Sequence, residues 1–185
     1  MDIWTKHLRG LAKLEEKAKR LATECHSSIK QVRKYTGEPY INHPAAVVEI
    51  VRSVPHTGEM LAAAWLHDTV EDTDATLDEI HDMFGHHVAD MVEMLTDVSK
   101  PEDGNRAKRK AIDRAHSARG IPAAKTIKIA DLIDNSSSIL ERDPKFAEVY
   151  IREKGLLLEV LREGDLTLWN RANNIVLNHI NQGKV

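Results

Sequence analysis

The residues best equipped for chemistry lie in one short string, His67-Asp68-Thr69-Val70-Glu71-Asp72, where four of six side chains can bind a metal ion or carry a proton. If helical geometry runs through the string, Glu71 stands one turn beyond His67 and Asp72 one turn beyond Asp68. Two polar stripes then lie side by side, so that metal ligands and a carboxylate base share a cavity. An isolated His-Asp pair is more often a solvated helix end. Here it follows Met60-Leu61-Ala62-Ala63-Ala64-Trp65-Leu66, an apolar run whose small residues permit close packing and mark a central element. A second cluster has Lys128, Asp131 and Asn135 at i, i+3 and i+7 on one helical face, while Ile129, Leu132, Ile133 and Leu140 favour another. A third contributor, His43, stands just before Pro44. Proline suits a first helical turn and disfavours the α region for the residue before it, so His43 is expected to be extended at a helix mouth.

The elements that must position these groups read as helices. From about Ile3 to Lys30, Leu8, Leu11, Leu14, Ala18, Leu21, Ala22 and Ile29 recur with a helical period. Gly37, Pro39 and Pro44 interrupt helicity and make an ordered loop that delivers His43. Pro55 closes the second helix, and Gly58 to Asp68 forms the third. Thr76-Leu77-Asp78-Glu79 matches a capping box for a short helix ending at Phe84, with Gly85 closing it and His86 to Thr96 resuming. Lys100 to Asn105 is a polar linker. Gly120 and Pro122 separate a basic helix from one over Ala123 to Leu140, and Asp143-Pro144 and Gly164-Asp165 mark two further boundaries. The fold class is all-α: about eight or nine helices, with no repeat and no alternating strand.

Composition narrows the rest. At 185 residues one domain, 1–185, is expected, and two Phe, three Tyr and three Trp among many aliphatic residues favour a helical core. A lone cysteine, Cys25, excludes an internal disulfide and a multi-thiolate zinc site within one chain, which points to a reducing cytoplasm. No signal peptide or membrane-length apolar run is present, so a soluble chain with no membrane partner is expected. A net charge of −3 argues against nucleic acid and leaves room for a local basic pocket that takes a phosphorylated small molecule. The oligomeric state stays open, a homodimer included. His86-His87 reads as surface or cap, and the run Arg106-Ala107-Lys108-Arg109-Lys110 as a solvated face.

His43, His67-Asp68 and Asp131, in this order and spacing, resemble the H…HD…D signature of the HD phosphohydrolase superfamily. The strings Arg33-Lys34, Gly37-Glu38-Pro39-Tyr40-Ile41-Asn42-His43-Pro44, His67-Asp68-Thr69-Val70-Glu71-Asp72-Thr73 and Lys128-Ile129-Ala130-Asp131 are similar to the hydrolase domain of RelA/SpoT proteins and their small stand-alone relatives, over about residues 20–165. The resemblance implies a Mn²⁺-dependent hydrolase of the stringent response. Such an enzyme removes the 3′-pyrophosphate of the alarmones ppGpp and pppGpp, with His43, His67, Asp68 and Asp131 as ligands. Two neutral imidazoles and two carboxylates balance a divalent cation, and this mixed donor set suits Mn²⁺, with Zn²⁺ or Fe²⁺ also able to bind. Glu71 and Asp72 beside the ion are expected to activate and orient water. Arg33, Lys34 and Lys128 are the basic residues nearest the motifs. The resemblance implies that Arg33 and Lys34 flank the purine and phosphates and that Asn135 contacts the nucleoside.

The chain departs from the family pattern after Asn135. An aliphatic residue, an Arg and a Thr usually follow, whereas Ser136-Ser137-Ser138 stand here, and Asp134 replaces a residue commonly His or Tyr. Loss of a guanidinium at Ser137 removes a bidentate phosphate donor. This keeps alternatives in view: hydrolysis of an adenine alarmone or of the 2′-phosphate of NADPH, or a metal- and nucleotide-binding sensor without turnover. Glu71 and Asp72 argue against the sensor, because in a pure binder they add only repulsion. No room is left for a synthetase domain, so hydrolysis is expected to be the only alarmone chemistry.

Overall fold

The structure, a computed structural model, describes residues 3–183, and for residues 3–9, 11 and 12 the backbone alone. The expected apolar positions Leu8 and Leu11 therefore lie outside the described side chains. Ten α-helices follow one another: α1 (Ile3–Ser28), α2 (Asn42–Arg52), α3 (Gly58–Leu66), α4 (Thr69–Asp72), α5 (Leu77–Phe84), α6 (His86–Leu95), α7 (Arg106–Ala118), α8 (Pro122–Arg142), α9 (Pro144–Val160) and α10 (Leu166–Asn181), with a 3₁₀ turn at Pro101–Asp103. Apart from the single turn α4, nine helices remain, and among the described residues the only β pairing is an isolated bridge between Val32 and Pro39. The all-α expectation holds. No helix of the described chain is long and apolar enough to cross a membrane.

The apolar run before His67 becomes α3, with every residue but Glu59 buried, and α1, α2, α6 and α8 pack around it. Its alanines let these neighbours come close. α8 lies behind, burying Ile127, Ile129, Leu132 and Ile133 against α2, α6, α9 and α10. Each large aliphatic side chain so buried contributes roughly 1.5–3 kcal/mol. The expected boundaries are capped by side chains: the capping box at Thr76 and Glu79 is complete, and Asn105, Asp143 and Asp165 accept amides at the starts of α7, α9 and α10. Gly164 belongs to the turn before α10 for lack of space. A Cβ there would sit 2.7 Å from Ile129 Cδ1 and 3.1 Å from the Lys125 and Thr126 backbone.

Two local expectations are corrected. His43 is not extended before a helix that begins at Pro44; α2 begins at Asn42, and His43 lies within its first turn. The Asn42 and His43 amides donate to the Pro39 and Tyr40 carbonyls at 3.1 and 2.8 Å, so the chain is already turning before proline, whose missing N–H costs nothing there. The preference of a pre-proline residue for extended backbone is overridden by this turn. Nor does α3 run unbroken through Asp72. It stops at Leu66 because the His67 Nδ1–H and the Thr69 hydroxyl donate to the Ala64 and Leu66 carbonyls, at 2.9 and 2.7 Å, in place of backbone amides. Asp68 turns the chain at φ −103°, ψ −2°, and α4 restarts with the Asp72 amide on the Asp68 carbonyl.

Between α1 and α2 the chain makes a tight hairpin. α1 ends in a Schellman motif: the Gln31 amide donates to the His26 carbonyl and the Lys30 amide to that of Ser27, with Lys30 in the left-handed region at φ 53°. The Arg33 amide then bonds the Glu38 carbonyl at 2.8 Å, and Gly37 at φ 72° closes the turn. This hairpin carries Gln31, Arg33 and Tyr40 to the place where the start of α2, the end of α3 and the middle of α8 bring His43, Asp68 and Asp131 together.

Candidate active site

Three elements deliver four donor groups to one point: the first turn of α2 gives His43, the break after α3 gives His67 and Asp68, and the middle of α8 gives Asp131. The two imidazole Nε2 atoms are 3.2 Å apart, both rings 1% exposed. Asp68 Oδ2 is 3.0 Å from His67 Nε2 and 3.5 Å from His43 Nε2, and Asp131 Oδ1 is 3.1 Å from His43 Nε2. One ligand atom each from His43, His67 and Asp68 falls within 4.8 Å of the others, a grouping able to hold a metal ion. Both rings are oriented from behind. His67 Nδ1 meets the Ala64 carbonyl at 2.9 Å and His43 Nδ1 meets Asp134 Oδ2 at 2.7 Å. Carbonyl and carboxylate only accept, so each Nδ1 carries the proton and each Nε2 turns inward.

Electrostatics favour a cation at this point. Burial pushes the His43 imidazole down, but hydrogen bonds to Asp131 and Asp134 and the charges of Asp131 and Asp68 outweigh it and raise the pKa to about 9. For His67 burial is likewise overcome, chiefly by Asp68. Burial raises the Asp68 and Asp131 carboxyls, yet His67 and His43 hold both well below the usual carboxylate range. Two carboxylates thus demand positive charge beside them. A divalent cation supplies it with both imidazoles neutral, and the donor set fits the group.

Asp68 and Asp131 of this cluster line a cleft of about 220 Å³, with the two imidazoles buried behind them. Glu71 and Asp72 line it too, although α4 sends them to different partners. Glu71 accepts the Asp97 amide at 3.1 Å, and Asp72 accepts from Gln31 Nε2 at 2.7 Å. Burial and the nearby Asp97 charge raise the Glu71 carboxyl to about 7, while burial raises that of Asp72. Tyr40 donates its hydroxyl to Asp68 at 2.6 Å. Lys110, Arg114, Lys128 and Lys154 line the cleft as well, interleaved with Asp97, Asp113 and Glu153. Lys110 bonds Asp97 at 2.5 Å, and Lys128 donates to the Leu95 carbonyl and lies 3.5 Å from Asp97. The Lys154 ammonium has no hydrogen-bond partner among the described residues and only the Tyr150 ring beneath it, at 5.1 Å. Burial lowers its pKa, and the charges of Lys128 and Lys110 add to that.

The expected residues are not all gathered here. Lys128, Asp131 and Asn135 share the cleft, as their spacing predicts. Arg33 instead lines a neighbouring concavity with Asp134, Ser137 and Arg142, its guanidinium 3.0 Å from Asp134 Oδ2 and 3.3 Å from Asn135 Oδ1. Lys34 is 75% exposed, over the Tyr35 ring and 4.0 Å from Asp143. Of the basic run on α7, Lys110 faces the cleft, on the same helical face as Asp113, Arg114 and Ser117 at i+3, i+4 and i+7, which line it too. Lys154, Asp97 and Gln31 carried no local signal. His86 and His87 are exposed and stand apart.

Comparison with known proteins agrees with this geometry. A family model described as HD domain matches residues 18–139. Among curated relatives, the guanosine-3′,5′-bis(diphosphate) 3′-pyrophosphohydrolase MESH1 of Mus musculus is 43% identical over 114 residues, covering 60% of this chain and 62% of the mouse protein. The human MESH1 is 44% identical over 102 residues, covering 54% and 55%. A probable pyrophosphohydrolase of the same name from Synechocystis is 46% identical over 70 residues, 38% of this chain but 9% of that protein. The matches thus span less than two thirds of each of these relatives. A solved structure described as a metazoan ortholog of SpoT that hydrolyses ppGpp superposes with a TM-score of 0.79 at 27% identity, covering 93% of this chain and 97% of that one.

Proposed function

The chain belongs to the HD-domain family, and on that premise we propose that it is a Mn²⁺-dependent hydrolase that removes the 3′-pyrophosphate of guanosine alarmones, converting ppGpp or pppGpp to GDP or GTP plus pyrophosphate. Residues 1–185 act as one such domain, with the family-like core at about 20–165. One observation carries the reading: two inward-facing imidazole nitrogens meet two carboxylates, Asp68 and Asp131, that line a cleft shared with Glu71, Asp72 and the ammonium groups of Lys110, Lys128 and Lys154. Curated relatives whose names state this activity support it.

His43, His67, Asp68 and Asp131 hold the ion in this reading. When bound, such an ion polarises a phosphoryl oxygen and lowers the pKa of water. Glu71 takes the proton of the attacking water, for which a pKa near 7 is matched. Asp72, fixed by Gln31, orients that water. The water oxygen bonds to the phosphorus on the ribose 3′ oxygen, the bond between them breaks, and the 3′ oxygen leaves as the hydroxyl with a proton from solvent. Lys110, Lys128 and Lys154 offset the charge of the phosphates. Asn135 at the cleft edge, with Arg33 and Lys34 on the hairpin beside it, takes the nucleoside end.

A second reading, hydrolysis of an adenine alarmone or of the NADPH 2′-phosphate, has a specific observation behind it. Ser137 lines the concavity next to Arg33, whose guanidinium is already engaged by Asp134, so that end offers few free guanidinium donors to guanine. One experiment separates the two: the Mn²⁺-loaded chain is given ppGpp, pppGpp, their adenine counterparts and NADPH, and pyrophosphate, phosphate and nucleotide products are measured. Pyrophosphate release from ppGpp that is lost with a chelator and in His67→Ala is expected. No guanosine product from ppGpp refutes the guanine assignment, and turnover of the adenine nucleotides alone selects the second reading. Binding without turnover of any of them would leave the protein a sensor.

A further inference from the structure

The proposed ligand His43 does not hold its own orientation. The torsion that turns an imidazole is broad and two-fold, so the partner of the rear nitrogen decides which nitrogen faces inward. For His43 that partner is the Asp134 carboxylate, whose Oδ2 is 2.7 Å from Nδ1. The same oxygen is 3.0 Å from Arg33 Nη2, and both side chains are largely buried, 13% and 17% exposed. The other arm of Arg33 donates to Asn135 Oδ1 at 3.3 Å, and Asn135 Nδ2 donates to Asp131 Oδ1 at 2.6 Å. One guanidinium from the α1–α2 hairpin therefore braces two side chains of α8, and each of these holds a different ligand. Helical spacing makes this possible. Asp134 and Asn135 follow Asp131 by three and four residues, so α8 presents a ligand and both braces on one face.

Building on the metal-dependent reading above, we infer that Arg33 and Asp134 are positioning residues of the metal centre: Asp134 fixes His43 with Nε2 toward the ion, and Arg33 locks Asp134 in that pose while tying in Asp131 through Asn135. The planar fork of Arg33 suits two divergent acceptors where lysine does not. Arg33 also neutralises a buried carboxylate that would otherwise stand uncompensated behind the ligands. The departure from the family pattern at residue 134 thus acquires a role, and a basic residue that the sequence points toward substrate is drawn toward the metal.

The test is made on the full chain without nucleotide, so that substrate contacts play no part. Mn²⁺ dissociation constants are measured by calorimetry for wild type, Asp134→Ala, Arg33→Met and the reference His67→Ala, with helicity and melting of the metal-free proteins recorded alongside. Asp134→Ala is expected to weaken Mn²⁺ binding about 10- to 100-fold and Arg33→Met by a smaller factor of about threefold or more. A residue acting only on substrate would leave both constants unchanged, and constants within about twofold of wild type overturn the inference. Should Asp134→Ala fail to fold, the wild type still decides. Long-range ¹H–¹⁵N spectra of the Zn²⁺-loaded chain must show His43 protonated at Nδ1 and bound through Nε2, and the reverse arrangement overturns the inference. A wild type that binds no divalent ion refutes the metal reading itself, which is a different result from a wild type and variants that bind alike.

Discussion

Glu71 gives the most direct handle on mechanism. Its carboxyl is raised from 4.5 to about 7 by burial and then by the charge of Asp97, against the Asp97 amide and the charge of Lys128, which pull it down. A base must be ionised to accept a proton. With saturating Mn²⁺, kcat/KM is therefore expected to fall on the acid side of about pH 7, approaching tenfold per pH unit, so that about a tenth of the plateau remains at pH 6. The positive charge of the ion can only move this limb to lower pH. Glu71→Gln keeps an acceptor for the Asp97 amide but cannot ionise, and it is expected to lower kcat by about 10²- to 10⁴-fold and to flatten the residual profile. Asp97→Asn keeps the amide donor and removes the second cause of the shift, so its limb moves to lower pH. Metal content is measured at each pH, because protonation of His43 or His67 also releases the ion. A limb from metal loss survives in Glu71→Gln, whereas a limb from the base disappears. Retention of the wild-type limb in Glu71→Gln, or of more than about a tenth of wild-type kcat, refutes the role given to Glu71.

Other tests address the lysines of the cleft and the scaffold. Lys154→Met removes an ammonium with no hydrogen-bond partner among the described residues, and loss of one charge-assisted bond of about 1.5–3 kcal/mol is expected to raise KM for ppGpp roughly 10- to 100-fold with kcat little changed. An unchanged KM removes Lys154 from substrate binding. Gly164→Ala forces a Cβ to within 2.7 Å of Ile129 Cδ1 and is expected to cost about 1–3 kcal/mol, read as a drop of several degrees in Tm. Ile129→Val, which deletes Cδ1, is expected to restore part of the loss, and a Tm equal to wild type refutes the steric account.

Much of this site is written locally. The His67 to Asp72 string, the capping box at Thr76 and the stop and start at Gly120 and Pro122 each combine residues within a few positions, and the physics that reads them is equally short-ranged. The shared face of Lys128, Asp131 and Asn135 follows from helix period alone. What the sequence withholds is long-range or competitive. Arg33 meets Asn135 across 102 positions, and charge type alone could not tell whether its guanidinium faces a phosphate or a carboxylate. Lys154 sits in an ordinary run of charges on α9 and faces the cleft only because α9 packs on α7 and α8. The helix break at His67 also escaped, because the side chains of His67 and Thr69 compete for carbonyls that a propensity reading assigns to backbone amides. Asp134 was visible as a departure from the family pattern, but its partner could be named only from the fold.

The two inward-facing imidazoles differ in how they can change over generations. His67 is oriented by the Ala64 carbonyl, a main-chain group that no substitution at position 64 other than one that unfolds the helix can remove. His43 is oriented by a side chain, and a single codon change at 134 can weaken, strengthen or replace that partner. Drift at one position of α8 can thus tune how tightly the ion is held while every ligand stays in place. The half of the centre built on backbone is fixed by the fold, and the half built on Asp134 is open to selection.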